Sequence, residues 1–263
     1  MNPRATIDMQ QSPQEPENST PASFNLPAIG VVHSCYKEKF GIPRQPGLAP
    51  ASSGIILLLP PYNLPDAVRG LEENSHIWVQ FVFHQCLRDE WKPTVRPPRL
   101  GGNERLGVFA TRATFRPNPL GLSVVKLEKV EIRDKEVLIH ISGLDLVEGT
   151  PVLDIKPYIP YVDKVKDAKS AFAPEAPVAH TVKWLPQAES ALERYQQQHT
   201  DHFKGFKALI EQVLQQDPRP AYRHGKSEEK VYGVRLLEAN IRFQIQLSES
   251  SEELEVQVVD IEF

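Results

Sequence analysis

Cysteine is scarce in this chain of 263 residues, which contains only Cys35 and Cys86. Two cysteines without CxxC spacing provide neither a disulfide framework nor a common zinc site, and we expect inert thiols and no bound metal. No apolar run approaches the roughly 20 residues that a membrane-spanning helix needs. Residues 1–24 also lack the basic-then-apolar order of a signal peptide. We therefore expect a cytoplasmic protein without a membrane partner.

The common nucleotide-binding and hydrolase motifs are absent as well. The chain has no GxGxxG, P-loop, GxSxG or HExxH sequence, so Walker-type nucleotide hydrolysis, α/β-hydrolase chemistry and zincin chemistry lack support. His76 and His84 are eight residues apart in a predicted strand, which would place both on one face. Two polar residues lining a sheet are the expectation, and a metal pair without an obvious third ligand is the alternative.

What the chain does have is an arginine-rich segment, residues 93–121, full of proline and glycine. Its composition predicts stiff loops around one short strand, Arg105 to Thr111, with guanidinium groups directed at a phosphate ligand or RNA. Surface arginines paired with carboxylates elsewhere are the alternative. The net charge is −4, but the last 16 residues hold six acids and no Lys or Arg, so the rest of the chain carries +2.

The chain divides into four predicted regions. Residues 1–24 have the composition of a disordered arm. Residues 25–160 contain recurring short β-rich runs separated by Pro, Gly and Asn, which predicts a mainly β domain built as a small barrel or sandwich. Residues 161–178, rich in Pro and Ala, form a predicted linker. The predicted strands of the first domain cover residues 29–36, 54–59, 77–84, 105–111, 122–132 and 136–142, with a helical stretch at 66–73.

Residues 179–263 are expected to form a small α+β domain. Pro186 to His199 favours a helix, and residues 201–216 form an amphipathic helix with Asp201 as a plausible N-cap. Three strands follow, at residues 230–237, 241–247 and 254–261. Two helices and a three-stranded meander are therefore predicted.

Two turns combine residues suited to binding. In the sequence DPRPAYR, two prolines hold Arg219, Tyr222 and Arg223 in a rigid turn suited to phosphate contacts and base stacking, although a helix-ending turn with a packed tyrosine would look the same. In residues 144–158, Asp145, Glu148 and Asp154 lie around a Gly-Thr-Pro turn that could hold a ribose, an amino group or a cation. Solvated acids are the alternative there.

Ordered motifs along the chain carry a family likeness. They are Tyr36–Phe40, Pro43–Gly47, Ala67–Glu72, Phe81–His84, Arg96–Arg99, Gly107–Arg112, Phe115–Gly121, Asp145–Pro151 and Asp154–Tyr158. With these motifs, residues 26–160 closely resemble the TsaA/TrmO family, and DPRPAYR resembles its C-terminal domain. The chain departs from the common pattern at Glu148, where many relatives have Asp.

The resemblance implies an S-adenosylmethionine-dependent tRNA methyltransferase built on a β-barrel and active as a homodimer. The implied reaction methylates N6 of the threonylcarbamoyl-modified adenosine immediately 3′ to the anticodon of threonine tRNA. A non-enzymatic tRNA-binding adaptor is the alternative, and cofactor binding separates the two.

The same resemblance assigns site residues. The implied cofactor site comprises Arg44, Gln45, Pro46, Gly47, Phe83, His84, Arg112, Leu122, Asp145, Leu146, Glu148, Gly149 and Thr150. His84 is also the candidate proton acceptor, because its unperturbed pKa suits that role. The predicted tRNA contacts are Arg96, Arg99, Arg116, Asn118, Arg219, Tyr222 and Arg223.

Overall fold

The computed structural model of the protein describes residues 23–97, 104–198, 205–248 and 253–263, so nearly all of the predicted arm, Arg99 and Asp201 lie outside the described residues. The strands there are β1 Gly30–Ser34, β2 Ser53–Leu58, β3 His76–Val82, β4 Thr94–Val95, β5 Leu106–Gly107, β6 Leu120–Arg133, β7 Glu136–Ser142, β8 Pro151–Pro157, β9 Thr181–Trp184, β10 Glu228–Leu236, β11 Ala239–Leu247 and β12 Leu254–Glu262. The α-helices are α1 Pro160–Asp163, α2 Pro186–Gln198 and α3 Phe206–Leu214. Between α1 and β9, residues 164–180 form neither helix nor strand.

Six antiparallel strands close a barrel in the order β1-β2-β7-β6-β3-β8, which confirms the predicted small β-barrel. The period-2 alternation of β3 explains its place, because Ile77, Val79 and Phe81 are buried while their neighbours are not. The predicted helical stretch at 66–73 consists of two short 3-10 helices, Pro65–Val68 and Leu71–Glu73.

The predicted strand from Arg105 to Thr111 is wrong. Only Leu106–Gly107 is extended, paired with β4, and Val108 to Ala110 form a 3-10 turn. The turn closes because the Val108 amide donates to the carbonyl of Pro93 and the Thr111 amide donates to that of Val108. These local bonds take the place of a longer ladder.

The C-terminal part contains a four-stranded sheet, β10-β11-β12-β9, flanked by α2 and α3. The predicted antiparallel meander is confirmed, and the four-residue parallel strand β9 is an addition that the sequence analysis did not predict. The predicted apolar face of α3 is buried through Phe206, Leu209, Ile210, Val213 and Leu214. The described helix begins after Gly205, its N-cap, which has a φ of 115°, and the predicted cap at Asp201 lies outside the described residues.

The barrel and the C-terminal sheet share one continuous cluster of buried side chains. The Leu237 amide donates to the Cys35 carbonyl at 2.7 Å, and Phe40 stacks on Phe243 with ring centroids 6.4 Å apart. Cys35 lies inside this contact, and burial raises the pKa of its thiol to about 11, so the thiol is inert at neutral pH. No helix of the described residues combines the length and apolar character needed to cross a membrane.

Candidate active site

The centre of the candidate site is Asp145, in the turn that leads from β7 to β8. Ser123 of β6 is buried, and its hydroxyl donates a hydrogen bond to the Asp145 carboxylate at 2.6 Å. Burial raises the pKa of Asp145 to about 6, while the Ser123 hydroxyl and the positive charge of Arg112 favour the ionised form. Desolvation outweighs these favourable contacts, so the carboxylate is short of positive charge.

Two loops meet near this carboxylate. Arg112, from the arginine-rich segment, donates a hydrogen bond from Nη1 to Gln45 Oε1. Gly47 donates its amide to the carbonyl of Gly143 at 2.8 Å, and its φ of 79° favours glycine. The structure therefore brings together Gln45, Gly47, Arg112 and Asp145. The loop also carries two further predicted cofactor residues, Arg44 and Pro46.

Phe83 directly follows β3, and Leu122 lies in β6 next to Ser123. Leu122 precedes Ser123 in β6, and because neighbouring strand residues point to opposite faces, it lies outward with 53% of its surface exposed. The Phe83 ring packs edge-on against Phe81, with centroids 5.1 Å apart. Gly121 leaves room for this pair, since a Cβ at that position would lie 2.2 Å from the Phe81 ring.

His84 does not share a strand with His76, and that prediction is wrong. Strand β3 ends at Val82, because the Phe83 ψ of 63° leaves the extended region, although the Phe83 amide still donates to the carbonyl of Pro119 on the β6 side. His84 begins a 3-10 helix and is half-buried. Among the described residues, no group of three or more His, Cys, Asp or Glu side chains could hold a metal ion.

Glu148 occupies a different environment from Asp145, three residues away. Its carboxylate accepts hydrogen bonds from the Ser34 amide at 2.7 Å and from Lys37 Nζ at 2.9 Å, and it lies 3.0 Å from His33 Nδ1. Burial alone would raise the pKa of Glu148, but these three contacts outweigh burial and hold the pKa below its usual value. Glu148 therefore fastens its turn to β1 and has its charge balanced within the chain.

The remaining predicted residues of this turn shape the backbone. The side chain of Leu146 is buried in the core, and the Thr150 hydroxyl donates to the carbonyl of Val147 at 2.7 Å. Gly149 has a φ of 75°, which lets the chain reverse into β8. Of the Asp145–Thr150 turn, only the Asp145 side chain joins the group formed by Gln45 and Arg112.

The arginine-rich segment divides into bracing and exposed side chains. Arg116 Nη1 donates to the carbonyls of Thr111 at 2.9 Å and Val108 at 3.2 Å, so this guanidinium stiffens the segment. Arg96 and Asn118 are exposed. The predicted contact at Arg99 lies outside the described residues.

The DPRPAYR turn separates its three predicted contacts. Arg219 is fully buried: its Nε and Nη2 each donate to Asp217 at 2.8 Å, and its Nη1 donates to the Lys226 carbonyl. The predicted phosphate contact by Arg219 is therefore wrong, because its donors are turned inward to organise the turn. Tyr222 is 65% exposed rather than packed, and the Arg223 guanidinium lies 5.2 Å from its ring centroid.

Two further residues of this region were not predicted. Ser123 interrupts the apolar inward row of β6, and a buried hydroxyl among apolar residues is a usable sequence signal for a polar contact. The hydroxyl of Tyr36 is buried and makes no hydrogen bond to the described residues. Burial chiefly raises the pKa of Tyr36, with a smaller contribution from the charge of Asp145. Tyr36 gave no sequence signal, because only its three-dimensional position isolates the hydroxyl.

Comparison with known proteins gives this geometry a family. Residues 31–164 match the tRNA-methyltransferase O N-terminal domain, and residues 177–263 match the TrmO C-terminal domain. The chain belongs to the tRNA-methyltransferase O family. This membership confirms the resemblance found in the sequence motifs.

Three of these similar proteins resemble this chain over most of their own length. The chain is 48% identical over 225 residues to the tRNA (adenine(37)-N6)-methyltransferase of Escherichia coli strain K12, covering 85% of this chain and 94% of that protein. It is 49% identical over 222 residues to a putative S-adenosylmethionine-dependent methyltransferase, RcsF, of Pseudomonas aeruginosa, covering 84% and 92%. The crystal structure of TrmO from Pseudomonas aeruginosa has a TM-score of 0.74 at 39% identity, covering 92% of this chain and 99% of that one.

Proposed function

We propose that this protein methylates N6 of the threonylcarbamoyl-modified adenosine 3′ to the anticodon of threonine tRNA, as a cytoplasmic homodimer. The coarser activity, S-adenosylmethionine-dependent methylation of adenine N6 in tRNA, follows from family membership and from the named activities of the relatives. The modified nucleoside, the tRNA and the homodimer are the finer part of the proposal, supported by the resemblance of the sequence motifs.

The enclosed carboxylate of Asp145 is the observation that carries the proposal. A desolvated carboxylate with a raised pKa is stabilised when a cation is placed beside it. S-adenosylmethionine carries a sulfonium and an ammonium group, so its charge fits this set of residues. When bound, it supplies the methyl group.

The residues around Asp145 have separate roles in this proposal. Asp145 balances the positive charge of the cofactor. The hydrogen bond from Arg112 to Gln45 holds their two loops together next to it. The amide of Gly47 ties that loop to Gly143, so the loop is held in place before any ligand binds. Such positioning of reacting groups contributes roughly 7–11 kcal/mol in favourable cases.

His84 is assigned the proton that N6 loses. The exocyclic nitrogen lies between a purine ring and a carbonyl group, so its proton is more acidic than that of a plain amine. His84 is half-buried next to Phe83, nine residues before the arginine-rich segment that we assign to tRNA. We assign contacts with the tRNA to the exposed Arg96, Asn118, Tyr222 and Arg223.

The test is mass spectrometry of nucleosides from threonine tRNA, with and without the threonylcarbamoyl group, after incubation with the protein and S-adenosylmethionine. We expect one added methyl group on the carbamoylated nucleoside only. Asp145→Asn should weaken cofactor binding in calorimetry by about tenfold or more, the loss of a charged contact. His84→Ala should leave that affinity unchanged and lower turnover by about 10²–10⁴-fold.

Three results would contradict parts of this proposal. Methylation of the unmodified adenosine at equal rate would remove the threonylcarbamoyl requirement. Bound tRNA without methylation would restore the adaptor alternative. Full turnover by His84→Ala would assign the proton to another group.

A further inference from the structure

Many of the large apolar side chains that are exposed among the described residues lie in the arginine-rich segment or just beside it. Among the described residues, Phe109 is 73% exposed and Trp91 is 51% exposed. Other large apolar side chains exposed in the same stretch are Leu87, Phe115, Leu120 and Leu122. A concentration of exposed apolar surface in one segment indicates a partner that covers it.

Trp91 and Phe109 form the centre of this surface, which we call the Trp91–Phe109 platform. Their ring centroids are 6.3 Å apart and their planes are tilted by 32° to each other, so the two exposed rings form one aromatic pair. The Arg116 guanidinium lies 5.8 Å from the Phe109 centroid. Exposed aromatic rings bordered by a cation are the combination on which nucleobases stack.

The backbone beneath the platform is held in place without a ligand. The Val108 amide donates to the Pro93 carbonyl at 2.9 Å, directly joining the chain near Trp91 to the chain near Phe109. The β4–β5 ladder extends this join, and the two carbonyl contacts of Arg116 stiffen the turn that follows. Binding therefore costs little ordering of the rings, which favours affinity.

The charge around the Trp91–Phe109 platform favours one kind of binding partner over another. Residues 83–122 contain seven Lys and Arg against three Asp and Glu. A second copy of this chain would place the same positive segment opposite itself, and like charges across an interface are unfavourable. RNA brings phosphates to the arginines and flat apolar faces to the rings.

We propose that the Trp91–Phe109 platform stacks an unpaired nucleobase of the tRNA anticodon loop. This inference rests on the proposed function and adds a contact that neither the sequence motifs nor the arginine assignments include. Stacking on an aromatic ring tolerates every base, because each base has an apolar face. The platform therefore contributes affinity for an open loop and leaves the choice of tRNA to other contacts.

The experiment compares full-length Trp91→Ala and Phe109→Ala with the unaltered protein. Tyr161→Ala is the matched control, because Tyr161 is an 89% exposed aromatic residue outside the segment. Binding of a labelled anticodon stem-loop RNA is followed by fluorescence anisotropy over a series of salt concentrations. We expect each platform variant to weaken binding about 5- to 150-fold, the range for one stacked base. The slope of log affinity against log salt should not change, since no phosphate contact is lost.

Three readouts distinguish this proposal from its competitors. Trp91→Phe and Phe109→Tyr should retain affinity, because they keep an aromatic face. Unchanged RNA binding by both alanine variants overturns the proposal. A smaller mass in light scattering for the alanine variants assigns the surface to a contact between copies and also overturns it. If the unaltered protein binds the stem-loop through this platform but methylates no tRNA, the proposed function fails while the platform stands.

Discussion

Two enclosed aspartates show how differently this chain treats a carboxylate. Asp217 receives two hydrogen bonds from the buried Arg219 guanidinium, which overcomes the effect of burial and lowers the pKa of Asp217. Asp145 receives one from the Ser123 hydroxyl, and burial raises its pKa to about 6. The first charge is neutralised by the chain itself, whereas we propose that the cofactor supplies the counter-charge for the second.

The difference separates structural from functional sites of similar composition. Both aspartates lie in a turn that follows a regular element, and both are close to an arginine in space. The Arg219 side chain is 0% exposed and pairs face to face with its aspartate. Arg112 is exposed and donates to Gln45, so its charge acts on Asp145 only in part. An arginine near an acid therefore indicates an ion pair only when its guanidinium is known to point at the carboxylate.

The largest expected effect comes from breaking the Asp217–Arg219 pair. Arg219→Ala leaves the Asp217 carboxylate buried without its partner, and we expect the free energy of unfolding to fall by about 3–5 kcal/mol. Denaturant titration measures the change. The double variant Asp217→Asn with Arg219→Met should lose less, because no uncompensated charge remains.

Arg223→Ala is the matched control for that variant. Its ion pair with Glu228 is 2.8 Å long, but the Arg223 side chain is 45% exposed, so we expect a much smaller loss of stability than for Arg219→Ala. In tRNA binding the order reverses: Arg223→Ala should lower the salt slope by about one, and Arg219→Ala should not change the slope while the protein stays folded. A reduced slope for Arg219→Ala would return Arg219 to the RNA surface.

The second largest effect concerns Asp145. Because burial raises its folded-state pKa to about 6 from an ordinary value of 3.8, ionisation opposes folding. This penalty is absent below the unfolded-state pKa and fully present above about pH 6. Asp145→Asn should therefore stabilise the protein without cofactor, by up to about 3 kcal/mol at pH 8. Thermal unfolding between pH 4 and 8 measures it, and a gain that is the same at every pH would contradict this account.

Much of the fold was readable from the sequence because it depends on local patterns. Short β-rich runs between turn signals located β7 and the last three strands to within two residues at either end, and they predicted a small barrel or sandwich. The apolar face of α3 appeared at helical spacing. Strand β9 was missed because it has only four residues, and an alternation this short does not distinguish a strand from a linker.

The candidate site was only partly readable. The motifs selected Gln45, Gly47, Arg112 and Asp145, which the structure brings together. They could not show that Arg219 is turned inward, because the sequence DPRPAYR reads the same whether this arginine is buried or exposed. The direction of a side chain depends on packing between elements that are distant in sequence, so the spacing of residues along the chain does not reveal it.

The smallest expected effect on stability concerns Glu148, which lies in the same turn as Asp145. Its pKa is lowered by the Ser34 amide, Lys37 and His33, so the ionised form favours folding. That contribution is present above the ordinary pKa of 4.5 and is lost as the pH falls through the lower folded-state value. Glu148→Gln should therefore lower stability at pH 7 by about 1 kcal/mol or less, since the pair is a third exposed, and the difference should vanish in acid. Stabilisation by Glu148→Gln at neutral pH, as expected for Asp145→Asn, would show that the two carboxylates of this turn do not differ in the way their contacts indicate.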